Sequence, residues 1–210
     1  MNTWEQHLLN RGEPALGNVS WAPGVVCNFY KSNVEPPYDL CTSAMAVVVT
    51  DLRVGKFVLT LNNQPSRGGY EISGGHIDPG ETLVVTAARE NGEETILDAN
   101  RLYLARILKI FGYYEITNPP GSKYKSLTYM PFYGAHVPNI SNYVRPPTDP
   151  EVPGSDVRSL YSLRNVLLPA GDIAESEYAL LQFGIEAIRH WHNTNRRLNC
   201  LGPWLAASRV

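Results

Sequence analysis

GHIDPGETLVVTAARENGEETIL, residues 75–97, is the stretch on which the reading of this chain turns. Pro79-Gly80 breaks the preceding chain, and Glu81 stands near the start of the next element, where a helix dipole favours an acidic side chain. Val84, Ala87, Ala88, Asn91 and Thr95 then fall on one helical face, mostly apolar or small, suited to packing on a sheet. Glu90, Glu93 and Glu94 stand at i, i+3 and i+4 and share another face. Like charge massed in this way calls for a counter-ion. Ligands that are all oxygen suit Mg2+, or Mn2+ as an alternative, rather than zinc. Such a metal points to phosphate chemistry. Asn91-Gly92 conflicts with the helix, because an Asn-Gly pair favours a turn and an interior Gly costs about 1 kcal/mol against Ala. The periodicity on both sides keeps the helix.

Working outward, Ser43–Thr50 (SAMAVVVT) reads as a strand, with Lys56–Leu61 (KFVLTL) as its hairpin partner. Gln64–Gly69 reads as a loop, and Tyr70–Ser73 as a short strand running into Gly74-Gly75. Residues 1–42 are punctuated by Pro and Gly and read as an N-terminal extension with one helix and one strand, packed on a domain spanning 43–193. Downstream, Arg101–Thr117 is ambiguous between strands and helix, and its aromatic and β-branched content favours two strands around Gly112. Asn118–Ser126 is a loop and Leu127–Val137 a strand. Pro138–Ser155 holds five prolines and no apolar period, a functional or disordered loop. Asp156–Leu160 is a last strand and Leu163–Leu168 a helical turn. Ala174–Asn193 repeats apolar residues at helical spacing, and 194–210 is a basic, then apolar tail. This order predicts an α/β (α+β) fold, a mixed sheet sandwiched between helices rather than a doubly wound parallel sheet.

The bulk numbers exclude several classes. A chain of 210 residues can bury a proper core in one domain. A net charge of −2 gives no basic field for nucleic acid or an anionic membrane. Cys27, Cys41 and Cys200 are few and far apart, so neither a zinc ribbon nor a disulfide framework is expected. The N-terminus lacks a signal-peptide pattern and no apolar run reaches membrane-span length. The expectation is a cytoplasmic protein whose partner is a small molecule.

Residues 75–97 resemble the signature of the Nudix family, G-x5-E-x7-R-E-U-x-E-E-x-G-U, where U is a bulky aliphatic. Gly75, Glu81, Arg89, Glu90, Glu93 and Glu94 match, six of the seven glycine or charged positions. Each matches by chance about once in fifteen, so six together occur roughly once in ten million starting points. Asn91 stands where the family has an aliphatic, and Ile96 where it has its terminal glycine. The first predicts weaker helix packing. The second removes the residue that best ends a helix in the left-handed conformation. Before the box, Tyr70-Glu71-Ile72-Ser73-Gly74-Gly75 resembles the family's aromatic-x-aliphatic-Pro-Gly-Gly lead-in, with Ser73 for Pro. Asp156–Val166 resembles its late acidic strand.

The resemblance implies a Nudix-type α/β/α sandwich and a Mg2+-dependent hydrolase that cleaves the pyrophosphate bond of a nucleoside diphosphate linked to another moiety, by attack of a metal-activated water. It implies that Glu90, Glu93, Glu94 and the Gly75 carbonyl hold the metal. Arg89 orients Glu93, four residues on, by a charge-assisted bond, and Glu81 fixes the loop by pairing with Arg89. Glu90 is the leading general base, with Glu151 and Asp156 as alternatives from a later loop. Arg67, Arg145, Lys123 and Lys125 are placed to meet phosphates, and Tyr70, Tyr113 and Tyr114 to stack on a base. His76, beside Gly75, is a further candidate. His190 and His192 lie about 200° apart on a helix and cannot share a metal. The fold is compatible with a homodimer. Two other readings stand beside the hydrolase. One is a nucleotide-sensing module without turnover. The other is an isoprenoid diphosphate isomerase-like enzyme, which needs a catalytic Cys near the sheet.

Overall fold

Alternation in SAMAVVVTD builds the centre of the molecule. In a computed structural model this segment is β3 (Ser43–Asp51), and its two faces feed two separate cores. The structure describes residues 3–20, 22–62, 69–95, 97, 101–138, 152, 154–167, 170, 171 and 173–207, with side chains for most of these up to 194. Ala44, Ala46 and Val48 face one side of the sheet, Val47 and Val49 the other. This is the period-two pattern of a strand covered on both faces.

Around β3 the sheet holds β1 (Leu16–Val19), β2 (Val26–Lys31), β4 (Lys56–Asn62), β5 (Gly69–Glu71), β6 (Ser73–His76), β7 (Lys109–Thr117), β8 (Leu127–His136) and β9 (Gly154–Ser159). Its order is β1-β2-β7-β8-β3-β4-β5, with β6 paired to β3 and β9 to β4. The β3–β8 pairing is parallel and the other named pairings are antiparallel, so the sheet is mixed. The predicted β3–β4 hairpin is present, with Val48 opposite Val58.

Helices cover both faces. On one side α2 (Leu83–Glu94) and α3 (Arg101–Ile107) bury Leu83, Ala87, Ala88 and Leu104 against Ala46, Val48 and Val58. After β9 the short turn α4 (Leu160–Ser162) continues into a π-helical stretch, Leu163–Leu167. The long α5 (Glu175–Ala207) then crosses the other side, burying Leu180, Leu181, Ile185 and Ile188 against Phe29, Val47, Phe57 and Phe132. The expected α/β/α sandwich is thus the observed fold.

Three expectations need correction. Arg101–Thr117 is not two strands around Gly112. Its first half is α3, and β7 runs straight through Gly112. Gly112 does not break the strand because its role is close approach: a Cβ there would lie 2.3 Å from Cζ of Phe29 on the neighbouring strand. The N-terminal segment carries α1 (Thr3–Asn10) and two strands rather than one. Of these, β2 is hydrogen-bonded into the sheet along β7, with Phe29 opposite Tyr114. Of the Pro138–Ser155 loop, residues 139–151 lie outside the described residues, and Gly154 and Ser155 already belong to β9.

α1 lies over the end of the sheet that α2 and α3 leave open. Trp4 packs edge-on against Tyr113 and Tyr129 at 5.1 Å. His7 Nε2 lies 3.0 Å from the Tyr113 hydroxyl, and Arg11 pairs with Glu115 at 2.6 Å. Burial, and then the charge of Arg11, lower the pKa of His7 below its usual value. No helix among the described residues is long and apolar enough to cross a membrane.

Candidate active site

Helix α2 starts where its sequence provides the means. Thr82 caps it, its Oγ1 accepting from the Val85 amide at 3.4 Å. Just before the cap, Glu81 is held on three sides. It accepts from the Thr86 hydroxyl at 2.9 Å and from Arg89 Nε at 3.0 and 3.1 Å, and its own amide closes the Pro79-Gly80 turn onto the Asp78 carbonyl at 3.1 Å. The predicted pairing of Glu81 with Arg89 is therefore present.

Arg89 is the hub of the site. Besides Glu81, its guanidinium donates from Nη1 to Glu93 at 2.9 Å and from Nη2 to the His76 carbonyl at 2.9 Å, and it pairs with Glu90 at 2.8 Å. The planar fork lets one side chain join the start of α2, two of its carboxylates and the end of β6. Burial works against the charge on Arg89, but the bonds to Glu81, then the field and bonds of Glu90 and Glu93, outweigh it and raise its pKa. Burial likewise opposes ionisation of Glu81. The bonds from Arg89 and Thr86 overcome it and hold the carboxyl below its usual value.

Two of the carboxylates meet β6. Glu94 accepts from the Gly74 amide at 2.9 Å. The Glu90 carboxyl lies so close to Gly75 that a Cβ there would be 2.4 Å from it. Here the glycine gives the carboxylate its room. The donor set is all oxygen and suits a hard divalent cation. As the side chains stand, no three His, Cys, Asp or Glu among the described residues gather closely enough to hold a metal ion. Arg89 draws two of the carboxylates and the Gly74 amide takes the third.

Both departures in the box have structural answers. Asn91 is fully buried, and its Nδ2 donates to Ser73 Oγ at 2.6 Å. Ser73, which departs from the lead-in, is thus its partner. Ile96 lies outside the described residues. The helix stops at Thr95, which takes an extended conformation, donates from Oγ1 to the Asn91 carbonyl at 2.6 Å and accepts from the Leu97 amide at 3.2 Å. A buried threonine ends this helix instead of a left-handed glycine.

The remaining candidates fall into several groups. Tyr70 and Asp156 are brought together by Arg158, which sequence reasoning missed. Arg158 Nη2 donates to the Tyr70 hydroxyl at 2.6 Å and pairs with Asp156 at 2.6 Å, and the guanidinium lies over the Tyr70 ring. The signal was the strand period, since residues 156 and 158 share one face of β9. Asp156 therefore sits in the expected last strand, in an ion pair, and is not the loop acid offered as an alternative base. His76 stacks on Tyr124 with ring planes 19° apart and meets its hydroxyl at 2.8 Å. Lys123 Nζ lies over the same ring, while Lys125 turns away and donates to the Asp39 carbonyl at 2.8 Å. Tyr113 and Tyr114 are core residues rather than stacking platforms. Arg67, Arg145 and Glu151 lie outside the described residues. His192 meets His136 ring to ring at 5.7 Å, away from α2. The thiols of Cys27 and Cys41 are both pushed up to about 12, chiefly by burial, which makes poor nucleophiles of them.

The family model described as the NUDIX domain matches residues 41–177, more than half of the chain. No curated protein sequence matches significantly. Among solved structures, a candidate Nudix hydrolase from Listeria monocytogenes is 16% identical with a TM-score of 0.50, the alignment covering 72% of this chain and 95% of that one. A Nudix hydrolase from Nitrosomonas europaea is 16% identical at a TM-score of 0.48, over 68% and 87%. A pyrophosphohydrolase from Bacillus subtilis is 20% identical at 0.45, over 69% and 87%. With residues 41–177 matching and the α/β/α sandwich in place, this chain belongs to the Nudix family.

Proposed function

We propose that the chain is a Mg2+-dependent hydrolase of the pyrophosphate bond in a nucleoside diphosphate linked to another moiety, with Mn2+ as an alternative metal. The observation that carries this reading is the meeting of α2 with β6, where Glu90 abuts Gly75, Glu94 binds the Gly74 amide and Arg89 fixes Glu93. Glu90, Glu93, Glu94 and the Gly75 carbonyl would hold the metal. The bound metal would supply charge neutralisation on the phosphate oxygens and a water of lowered pKa. The chain's own residues do the rest. Arg89 orients the carboxylates. Glu90 takes the proton of the water that attacks phosphorus. Tyr70 with Arg158, and Lys123 beside Tyr124 and His76, offer aromatic and cationic groups to a nucleotide.

A second reading, a nucleotide-binding module without turnover, is favoured by one observation: each of the three carboxylates already bonds within the protein. The isomerase reading finds no support in the buried Cys27 and half-buried Cys41, whose thiols burial holds neutral. One experiment separates the first two. Turnover is measured with Mg2+ on nucleoside triphosphates, nucleotide sugars, dinucleotides and ADP-ribose, with Glu93→Gln and Glu94→Gln as controls. Each substitution is expected to lower turnover on the order of a hundredfold. Turnover that survives both removes the site assignment. Tight nucleotide binding with no turnover on any substrate favours the module.

A further inference from the structure

Besides the Arg89 bond to the His76 carbonyl, three contacts already described join α2 to β6. Two lie at the site, Glu90 against Gly75 and Glu94 on the Gly74 amide. The third lies beneath them in the interior, where Asn91 Nδ2 donates to Ser73 Oγ at 2.6 Å with both residues fully buried. Asn91 directly follows Glu90 on the helix, and Ser73 directly precedes Gly74 on the strand. Both positions depart from the family pattern, and they depart towards each other.

The pair is a poor way to gain stability. Asn91 Oδ1 is buried with no hydrogen-bond partner among the described residues. A buried acceptor left so is costly, whereas apolar groups of like shape at both positions are nearly neutral or stabilising. A polar group kept at the cost of stability points to a task elsewhere.

We propose that the Ser73–Asn91 hydrogen bond is a positioning device that sets the spacing between α2 and the Gly74-Gly75 strand, and through it the reach of Glu90 and Glu94. Ser73 and Asn91 are positioning residues and touch no substrate. A hydrogen bond fixes direction and distance more narrowly than an apolar contact, which holds through a range of offsets. Its metal consequence rests on the reading of Glu90, Glu93 and Glu94 as metal carboxylates; its structural consequence does not.

The test uses the full chain carrying Ser73→Ala with Asn91→Leu, and Asn91→Leu alone as a second variant. Three quantities are measured: the melting temperature, the exchange protection of the Gly74 amide by NMR, and Mn2+ affinity by electron paramagnetic resonance. The double variant is expected to melt at or above the wild-type temperature. Its Gly74 protection is expected to fall at least tenfold as the Glu94 bond loosens, and its Mn2+ affinity to fall by a similar factor. Unchanged Gly74 protection in a folded variant overturns the proposal whatever the metal does. Lower protection with unchanged Mn2+ affinity overturns it too, because the spacing then does not govern the carboxylates. If wild-type protein binds no Mn2+ while Gly74 protection falls in the variant, the positioning role stands and the metal reading fails. A double variant that melts well below wild type makes the pair a structural one and also overturns the proposal.

Discussion

At position 75 the nearest atoms to an added methyl belong to the end of a flexible side chain, with Cδ of Glu90 at 2.4 Å. At position 74 it would meet Met45 Sδ at 2.3 Å and, less yieldingly, the Ala44 carbonyl oxygen at 2.7 Å. The two glycines therefore separate function from folding. Gly75→Ala is expected to push the Glu90 carboxylate aside, lowering turnover roughly tenfold to a hundredfold with little change in melting temperature. Gly74→Ala is expected to cost about 3 kcal/mol of stability, because backbone cannot yield as a carboxylate does. Turnover assays beside thermal melts check both, and equal damage from the two would contradict the assignment of Gly75. At this scale the sequence held much of the site. The spacing of Arg89 and Glu93 sufficed to pair them, since one helical turn separates them. It could mark Ser73 and Asn91 as unusual but not show that they touch, because the bond spans 18 residues and two elements of different period.

Helix α2 is held at both ends by side chains, and each end has its own test. At the start, folding lowers the pKa of Glu81 below its usual 4.5, so the unfolded chain binds the proton more tightly. The resulting stabilisation is complete above pH 4.5 and is lost as pH falls through the lowered value. Glu81→Gln is therefore expected to melt below wild type near neutral pH, with the gap closing as pH falls under 4.5; a gap independent of pH would contradict the ionic role. At the far end, Thr95→Val leaves the amide of Leu97 without its acceptor. A loss of about 1–2 kcal/mol is expected in chemical denaturation, with an unchanged slope. That α2 exists was legible from its period, Asn91-Gly92 notwithstanding. α3 was not legible. No Gly or Pro separates it from β7, and the aromatic run Phe111–Tyr114 dominates any window that spans both. Helix or strand was decided there by packing, Leu104 and Leu108 closing over Tyr133 and Ala135.

Seen whole, the sheet extends beyond the segment that carries the family match, which begins at residue 41. β2 lies before it, yet it pairs with Gly112–Thr117 of β7 and puts Cys27 and Phe29 into the core under α5. Deleting residues 1–31 is expected to leave β7 with an open edge and a core lacking Phe29, giving protein that is insoluble or unfolds without cooperativity. A soluble truncated chain with the wild-type melting temperature would make the segment dispensable. The layered fold was legible from element order, because strands flanking one amphipathic helix and closing on another have few ways to bury both faces. The strand order was not, since pairing β2 with β7 depends on chain far downstream.

That pairing also bears on how the protein is made. Gly74 and Glu94 are 20 residues apart, so the two sides of the site leave the ribosome almost together and close a short loop. Phe29 must wait for Tyr114. At ordinary translation rates the delay is on the order of ten seconds. Throughout it, the segment Val26–Lys31 has β1 on one edge but lacks its partner on the other, with Cys27 and Phe29 uncovered. The partners at the α2–β6 contact are therefore both available early and those of the N-terminal strand late, and slower synthesis prolongs the wait of VCNFYK rather than of the glutamates.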